Sequence, residues 1–249
     1  MRKLFQTEWH GIPFASFTKL SSEKLADSAF YESFYKSFFE HYTHWDDLQA
    51  DWLQLKLQVA QFIQTRCHDC KADLILSIGC GLGIIEKALW DEGFSNLEIT
   101  EVSKEPLRWI SPIPQKNIHI GFFPDCIPVG KKYDFIYLAS IEYFFDQSQL
   151  ISLLKDVRSY LTPGGLCLLI SSSFEFANRL RLFRNTMFDY ARFILEKLKI
   201  KHRGQFWGYI RNRHDFLDAM HSAGFSQIAD GILEKTRWNT YWIEGRNSS

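Results

Sequence analysis

With 249 residues, 46% of them apolar, the chain is long enough to bury a full core and carry an appended cap, which excludes a peptide-sized module. Its 29 Lys and Arg balance 29 Asp and Glu, so no global field draws it to nucleic acid or to an anionic membrane, and any charge-driven partner has to act locally. Five cysteines, an odd number, and a start without an apolar run behind its basic residues (M-R-K-L-F-Q-T-E-W-H) argue against secretion; no run approaches the ~20 apolar residues of a bilayer span, and a cytoplasmic location is expected.

Between residues 26 and 42, Phe30, Phe34, Tyr35, Phe38 and Tyr42 recur at three- and four-residue steps, which predicts a helix with an aromatic stripe. Leu48, Trp52, Leu55, Val59, Phe62 and Ile63 keep the same period, with Thr43 and Asp46 as its capping start. Residues 1–70 thus read as a helical N-terminal segment or lid. The chain's 22 Phe, 10 Tyr and 8 Trp lie largely before Asp47 and after Ser173; such rings pack, or wall a substrate pocket. Cys67-His68-Asp69-Cys70 has metal or redox spacing, but no second pair accompanies it and a strand follows, so it reads as a polar loop and no metal site is expected.

From Asp73 the pattern changes to short apolar runs, near 73–78, 97–101, 117–121, 133–139 and 166–171, with helical segments near 84–92, 104–110 and 148–161 between them. This alternation predicts a mostly parallel α/β sheet. Phe176, Leu180, Phe183, Met187, Ala191, Ile194 and Leu198 then mark a long amphipathic helix, part of a helical insertion over 174–210. Ten Arg and Lys against Asp189 and Glu196 leave an excess of eight positive charges between 179 and 213. That excess reads as a solvated face, a site for an anionic substrate, or a membrane-surface contact. A helix over 212–223 stopped by Gly224, then strands over 226–232 and 238–243, close the chain as an antiparallel hairpin on the sheet edge.

Leu74 to Gly83, L-I-L-S-I-G-C-G-L-G, is the most informative stretch: a buried strand runs into a glycine-rich turn with a helix N-terminus behind it, a standard way of holding a nucleoside-bearing cofactor. A dinucleotide fingerprint would need a small residue at position 84, which is Ile84. The glycines fall instead at 79, 81 and 83, and this G-x-G-x-G spacing resembles class I S-adenosylmethionine-dependent methyltransferases of the small-molecule type. The resemblance runs from about Asp73 to Gly245. It includes Glu101 ending the second strand of the α/β part, F-F-P-D-C-I-P after the third, K-K-Y-D-F-I-Y-L-A-S-I-E-Y at the fourth, L-T-P-G-G-L before the fifth, and H-S-A-G-F-S-Q-I near the end.

The resemblance implies a Rossmann-like class I methyltransferase fold over 71–245: a seven-stranded, mostly parallel sheet with an antiparallel C-terminal hairpin. It implies S-adenosyl-L-methionine as cofactor, held by Ser77, Ile78, Gly79, Cys80, Gly81, Gly83, Glu101, Val102, Asp125 and Ala139. Glu101 would accept the ribose hydroxyls, Asp125 would meet the adenine amino group, and Glu98 would face solvent. Ser77 stands where the family usually has an acid, so the cofactor's ammonium would rely on backbone carbonyls near Gly79 and Ala139. Glu142, Tyr143 and His214 are the candidate catalytic bases. The loop 204–213, with Trp207, Arg211 and Arg213, would receive an acceptor. No Asn/Asp-Pro-Pro-aromatic motif, Pro-Cys nucleophile or paired acidic metal ligands follow the relevant strands, so methylation of a small or conjugated metabolite, first at oxygen, is the leading expectation. An RNA or lipid-headgroup methyltransferase, an NAD-dependent oxidoreductase and a non-catalytic cofactor-binding protein are the rivals; the oligomeric state stays open.

Overall fold

A computed structural model describes residues 1–67, 72–110, 112–175, 179–233 and 240–248, and of 179–186 the backbone alone. His68, Asp69 and Cys70 of the C-x-x-C segment therefore lie outside the described residues.

The first residues form strands where a helical segment was expected. β1 (Arg2–Gln6) is followed by a small antiparallel hairpin, β2 (Glu8–Trp9) with β3 (Ile12–Pro13), turned by His10 and Gly11 at φ of 50° and 72°. α1 (Ser28–His41) begins where the Asp27 side chain accepts a 3.0 Å hydrogen bond from the Phe30 N–H, and its aromatic stripe buries Phe30, Tyr31, Phe34, Tyr35 and Phe38. α2 (Ala50–Gln64) starts later than Thr43 and Asp46 suggested. Asp47 accepts from the Thr43 and His44 N–H groups and closes a separate single turn over Trp45–Asp47.

β4 (Ile75–Ile78), α3 (Ile84–Asp91), β5 (Leu97–Glu101), β6 (Ile118–Ile120), β7 (Tyr133–Ala139), α4 (Gln147–Tyr160) and β8 (Leu161–Ser171) make the α/β frame. Only a short turn of 3-10 helix over Glu105–Trp109 stands where a helix over 104–110 was predicted. α5 (Arg179–Lys197), β9 (Gln205–Ile210), α6 (Arg213–Ser222), β10 (Ser226–Ile232) and β11 (Tyr241–Arg246) complete the chain. The main sheet has seven strands in the order β10-β11-β8-β7-β4-β5-β6, parallel except that β11 runs antiparallel to both β8 and β10. Connections leave β4 toward β5 on one side and return to β7 on the other, so the carboxyl ends of β4, β5 and β7 flank the crevice where open α/β sheets bind ligands.

Alternation on the central strands splits the core. Ile136 and Leu138 face α4 and α6, while Phe135 and Tyr137 face the side of α2 and α3. A third cluster is aromatic: Phe14, Phe30, Phe34 and Phe38 pack with Trp207, whose ring stacks on Phe14 at 5.0 Å. Phe34, with no exposed surface, sits between Trp9 and Phe14. Phe34→Ala is expected to cost about 3–5 kcal/mol of unfolding free energy in a denaturant titration.

The segment expected as a loop at 204–213 is largely β9, which pairs antiparallel with β1 from Arg2↔Ile210 to Gln6↔Gln205. The first strand and the segment after α5 thereby close one cap over the crevice. Its arginines are committed elsewhere. Arg211, 1% exposed, donates to the backbone oxygens of Glu142 and Phe145 and to Gln147, and Arg213 grips both oxygens of Asp230 at 2.7 Å. Glu98 is also not solvent-facing: it accepts from His119 and Tyr133 and pairs with Lys131, because β6 and β7 bring these donors to its flank.

Candidate active site

β4 is followed by Gly79, whose N–H donates to the Thr100 backbone oxygen and hydroxyl, and the chain then turns through Gly79, Gly81 and Gly83, all at positive φ. At two of these positions only glycine fits. A Cβ on Gly79 would meet Ile141 Cγ2 at 2.8 Å, and one on Gly83 would meet Ile110 Cγ2 at 1.9 Å. Glu101, at the end of β5, clamps the turn. One carboxylate oxygen accepts from the Gly81 N–H at 2.9 Å and the other from the Ser103 N–H at 3.1 Å. Burial pushes its carboxyl up to about 6 and these backbone donors pull it back, so it is ionised at neutral pH.

Below the cap lies a cavity of about 1000 Å³. Ile78, Gly79, Cys80, Gly81, Gly83, Glu101, Val102 and Ala139 line it, together with Tyr143. Ser77 does not: it is buried beneath the turn and its hydroxyl donates to Glu86 at 2.7 Å. Asp125 is exposed and outside the lining, because the turn Phe122–Ile127 points it outward and presents Gly121, Phe122 and Phe123 instead. His214 is exposed at the start of α6, outside the lining.

Glu142 is also absent from the cavity wall. It is 1% exposed, and neither carboxylate oxygen has a hydrogen-bond partner among the described residues. Burial raises it to about 7, and the Arg211 and Lys56 charges offset only part of that rise. Tyr143 faces the cavity, but burial and the nearby Glu142 charge push its phenol well above the ordinary range, which removes it as a base.

Several lining residues were not singled out in the sequence. Glu86, from the first turn of α3, accepts from Ser77 and from the Tyr137 hydroxyl at 3.0 Å, and so stands behind the turn where the acid missing at position 77 would be. Burial raises its carboxyl, and the Lys56 charge pulls it down. Lys56 stands one turn after Trp52 on α2, its ammonium 5.3 Å from that ring; its place beside the apolar face of the helix is the one signal the sequence carries for it. Trp9 and Tyr31 wall the rest, beside Tyr35 and Trp207, which the sequence had named in the aromatic stripe and the acceptor loop. His10 had no signal beyond the glycine after it. It is 7% exposed, its ring meets Trp52 edge-on at 4.7 Å, and its Nε2 has no partner among the described residues. Burial and the Lys56 charge lower it to about 4, so it is neutral at pH 7.

Comparison with known proteins agrees with this geometry. A family model described as a methyltransferase domain matches residues 47–231. A magnesium protoporphyrin IX methyltransferase from Synechocystis PCC 6803, solved with bound S-adenosylhomocysteine, superposes with a TM-score of 0.56 at 15% identity over 89% of this chain and 95% of its own. A proposed O-methyltransferase from Nostoc punctiforme PCC 73102 gives 0.56 at 17% identity over 94% of this chain, which spans 66% of that protein's length. The S-adenosylmethionine-dependent methyltransferase SibL gives 0.57 at 16% identity over 95% of this chain and 65% of its own. At these identities the likeness is one of fold. No curated protein matches the chain significantly in sequence. With the family matched over most of its length and the glycine turn and Glu101 set at the switch of a seven-stranded sheet, the chain belongs to the class I S-adenosylmethionine-dependent methyltransferases.

Proposed function

We propose that the enzyme methylates a hydroxyl on a small aromatic or conjugated metabolite. The observation that carries this reading is the cavity itself. At about 1000 Å³ it reaches the upper end of ordinary ligand pockets, with room for cofactor and acceptor together, and its far wall is built from Trp9, Tyr31, Tyr35 and Trp207. The names of the Nostoc and Synechocystis proteins above, an O-methyltransferase and a porphyrin methyltransferase, agree with an acceptor of this kind.

The residues present fit the cofactor. Each Glu101 oxygen takes one backbone N–H and keeps lone pairs for the two ribose hydroxyls, while the same charge would repel a 2′-phosphate. Val102 and Phe122 offer apolar surface to the base in place of Asp125. Glu86 sets a carboxyl group behind the glycine turn as a further acceptor for the ammonium, a role the sequence left to backbone carbonyls. When bound, S-adenosylmethionine supplies an electrophilic methyl on a sulfonium. The chain's own work is then to orient the acceptor, exclude water with the aromatic cap and take the hydroxyl proton.

For that hydroxyl we assign His10 as the hydrogen-bond acceptor that orients it: its ring is neutral and its Nε2 unpartnered on the cavity wall, while burial and the Lys56 charge, which hold it at about 4, make it too weak a base to keep the proton. Incubation with radiolabelled donor and a panel of hydroxylated aromatics tests the acceptor class. Transfer to amines or thiols alone would overturn the oxygen assignment. His10→Ala is expected to lower kcat/KM for the acceptor up to about tenfold, the worth of one hydrogen bond, with the S-adenosylhomocysteine Kd changed less than about twofold. An unchanged kcat/KM would remove His10 from acceptor positioning.

A further inference from the structure

Along the second half of α5 the usual amphipathic order is inverted. The acids face the protein: Asp189 pairs with Arg2 at 2.5 Å, and Glu196 accepts from Arg203 Nε at 2.5 Å. Met187, Ala191, Ile194 and Leu198, spaced four, three and four apart, share the opposite side of the helix and point to water. Met187 is 58% exposed and Leu198 63%, and Phe188, Tyr190 and Ile200 flank the stripe with similar exposure. No other described helix of this protein carries such a run of exposed large apolar side chains, and a monomer in water gains nothing from one.

Around the stripe stand Arg192, Lys197, Lys199 and Lys201, all exposed. Between 187 and 203 the acids are Asp189 and Glu196, both already engaged on the body side, so the outward face is purely cationic. Two copies of such a face would repel each other, whereas a surface that is apolar inside and negative at its rim complements it. We propose that α5 is an interfacial helix that seats the enzyme on an anionic phospholipid bilayer, the stripe entering the acyl boundary and the lysines meeting lipid phosphates. No described helix is long and apolar enough to cross the membrane, so the helix would lie in the surface plane. The seat also adjoins the site: Arg2, which anchors α5 through Asp189, pairs with Glu175 at 3.3 Å, and both Arg2 and Glu175 line the cavity.

Co-sedimentation of the full chain with vesicles of phosphatidylcholine, with and without phosphatidylglycerol, tests this. Binding is expected only with the anionic lipid. It should fall about fivefold for each of Lys197→Gln and Lys199→Gln, and be lost in an Ile194→Glu, Leu198→Glu double variant. Thermal stabilisation by S-adenosylhomocysteine, unchanged in every variant, reports the fold and the cofactor site separately from the lipid contact. A chain that keeps this stabilisation yet ignores anionic vesicles would overturn the proposal, as would binding that the double variant leaves intact. So would a dimer in size-exclusion chromatography that the double variant splits, which would make the stripe an interface between copies.

Discussion

Glu101→Ala is expected to abolish the thermal stabilisation given by S-adenosylhomocysteine. The carboxylate holds the Gly81 and Ser103 N–H groups and is the acceptor proposed for both ribose hydroxyls. Two charge-assisted hydrogen bonds lost at about 1.5–3 kcal/mol each weaken binding by about a hundredfold to ten-thousandfold. The pH dependence has a definite sign. Burial holds the free enzyme's carboxyl at about 6, and its ionised form accepts from both hydroxyls, so affinity rises with pH up to about 6 and levels off above it. Isothermal titration between pH 5 and 8 checks this, and Glu101→Gln should flatten the profile. Undiminished affinity in Glu101→Ala would remove the ribose assignment.

The second large effect is on stability. Glu142 sits under the cavity wall with both oxygens unpartnered, its carboxyl raised to about 7 from an ordinary 4.5. Below pH 4.5 it is neutral in the folded and unfolded chain alike. Between 4.5 and 7 the unfolded chain releases its proton while the folded one keeps it, so this residue's contribution to stability is lost as pH rises, to a total of about 3 kcal/mol by pH 8. Glu142→Met, of similar length and without charge, is therefore expected to unfold at higher denaturant concentration than the parent at pH 8, with the difference shrinking toward pH 5. Equal gains at both pH values would show that the carboxyl is not buried as a neutral acid. The Arg211 guanidinium spends its donors on the backbone oxygens of Glu142 and Phe145, which fixes the segment between β7 and α4 without neutralising the side chain.

Local pattern carried the frame. A run of apolar residues ending in Gly79, Gly81 and Gly83 can only be a strand breaking into a tight turn, and alternation of such runs with helical periods leaves a parallel sheet as its natural packing. The strand that Glu101 ends was legible in the same way, and the resemblance to class I methyltransferases singled out Glu101 on it. The inner polar residues were not. Glu86 reaches Ser77 and Tyr137 because three elements converge, and no periodicity records that meeting. Asp125 looked eligible by resemblance, Glu142 by resemblance and its place after the fourth strand, and His214 by its place at the start of the last helix, yet a turn, a buried 3-10 turn after β7 and an exposed helix start keep them out of the cavity wall. Arg211 and Arg213 looked free until the fold gave them partners, the backbone oxygens of Glu142 and Phe145 after β7 and Asp230 on β10.

By itself, then, the sequence determined the sheet and its glycine turn, because these depend on backbone geometry that neighbouring residues dictate. Only the tertiary structure decided that strand β1 closes onto β9, that His10 and Lys56 enter the cavity, and that α5 turns its apolar side to water. Each of those outcomes rests on contacts between segments distant along the chain, whose free energy no local spacing encodes.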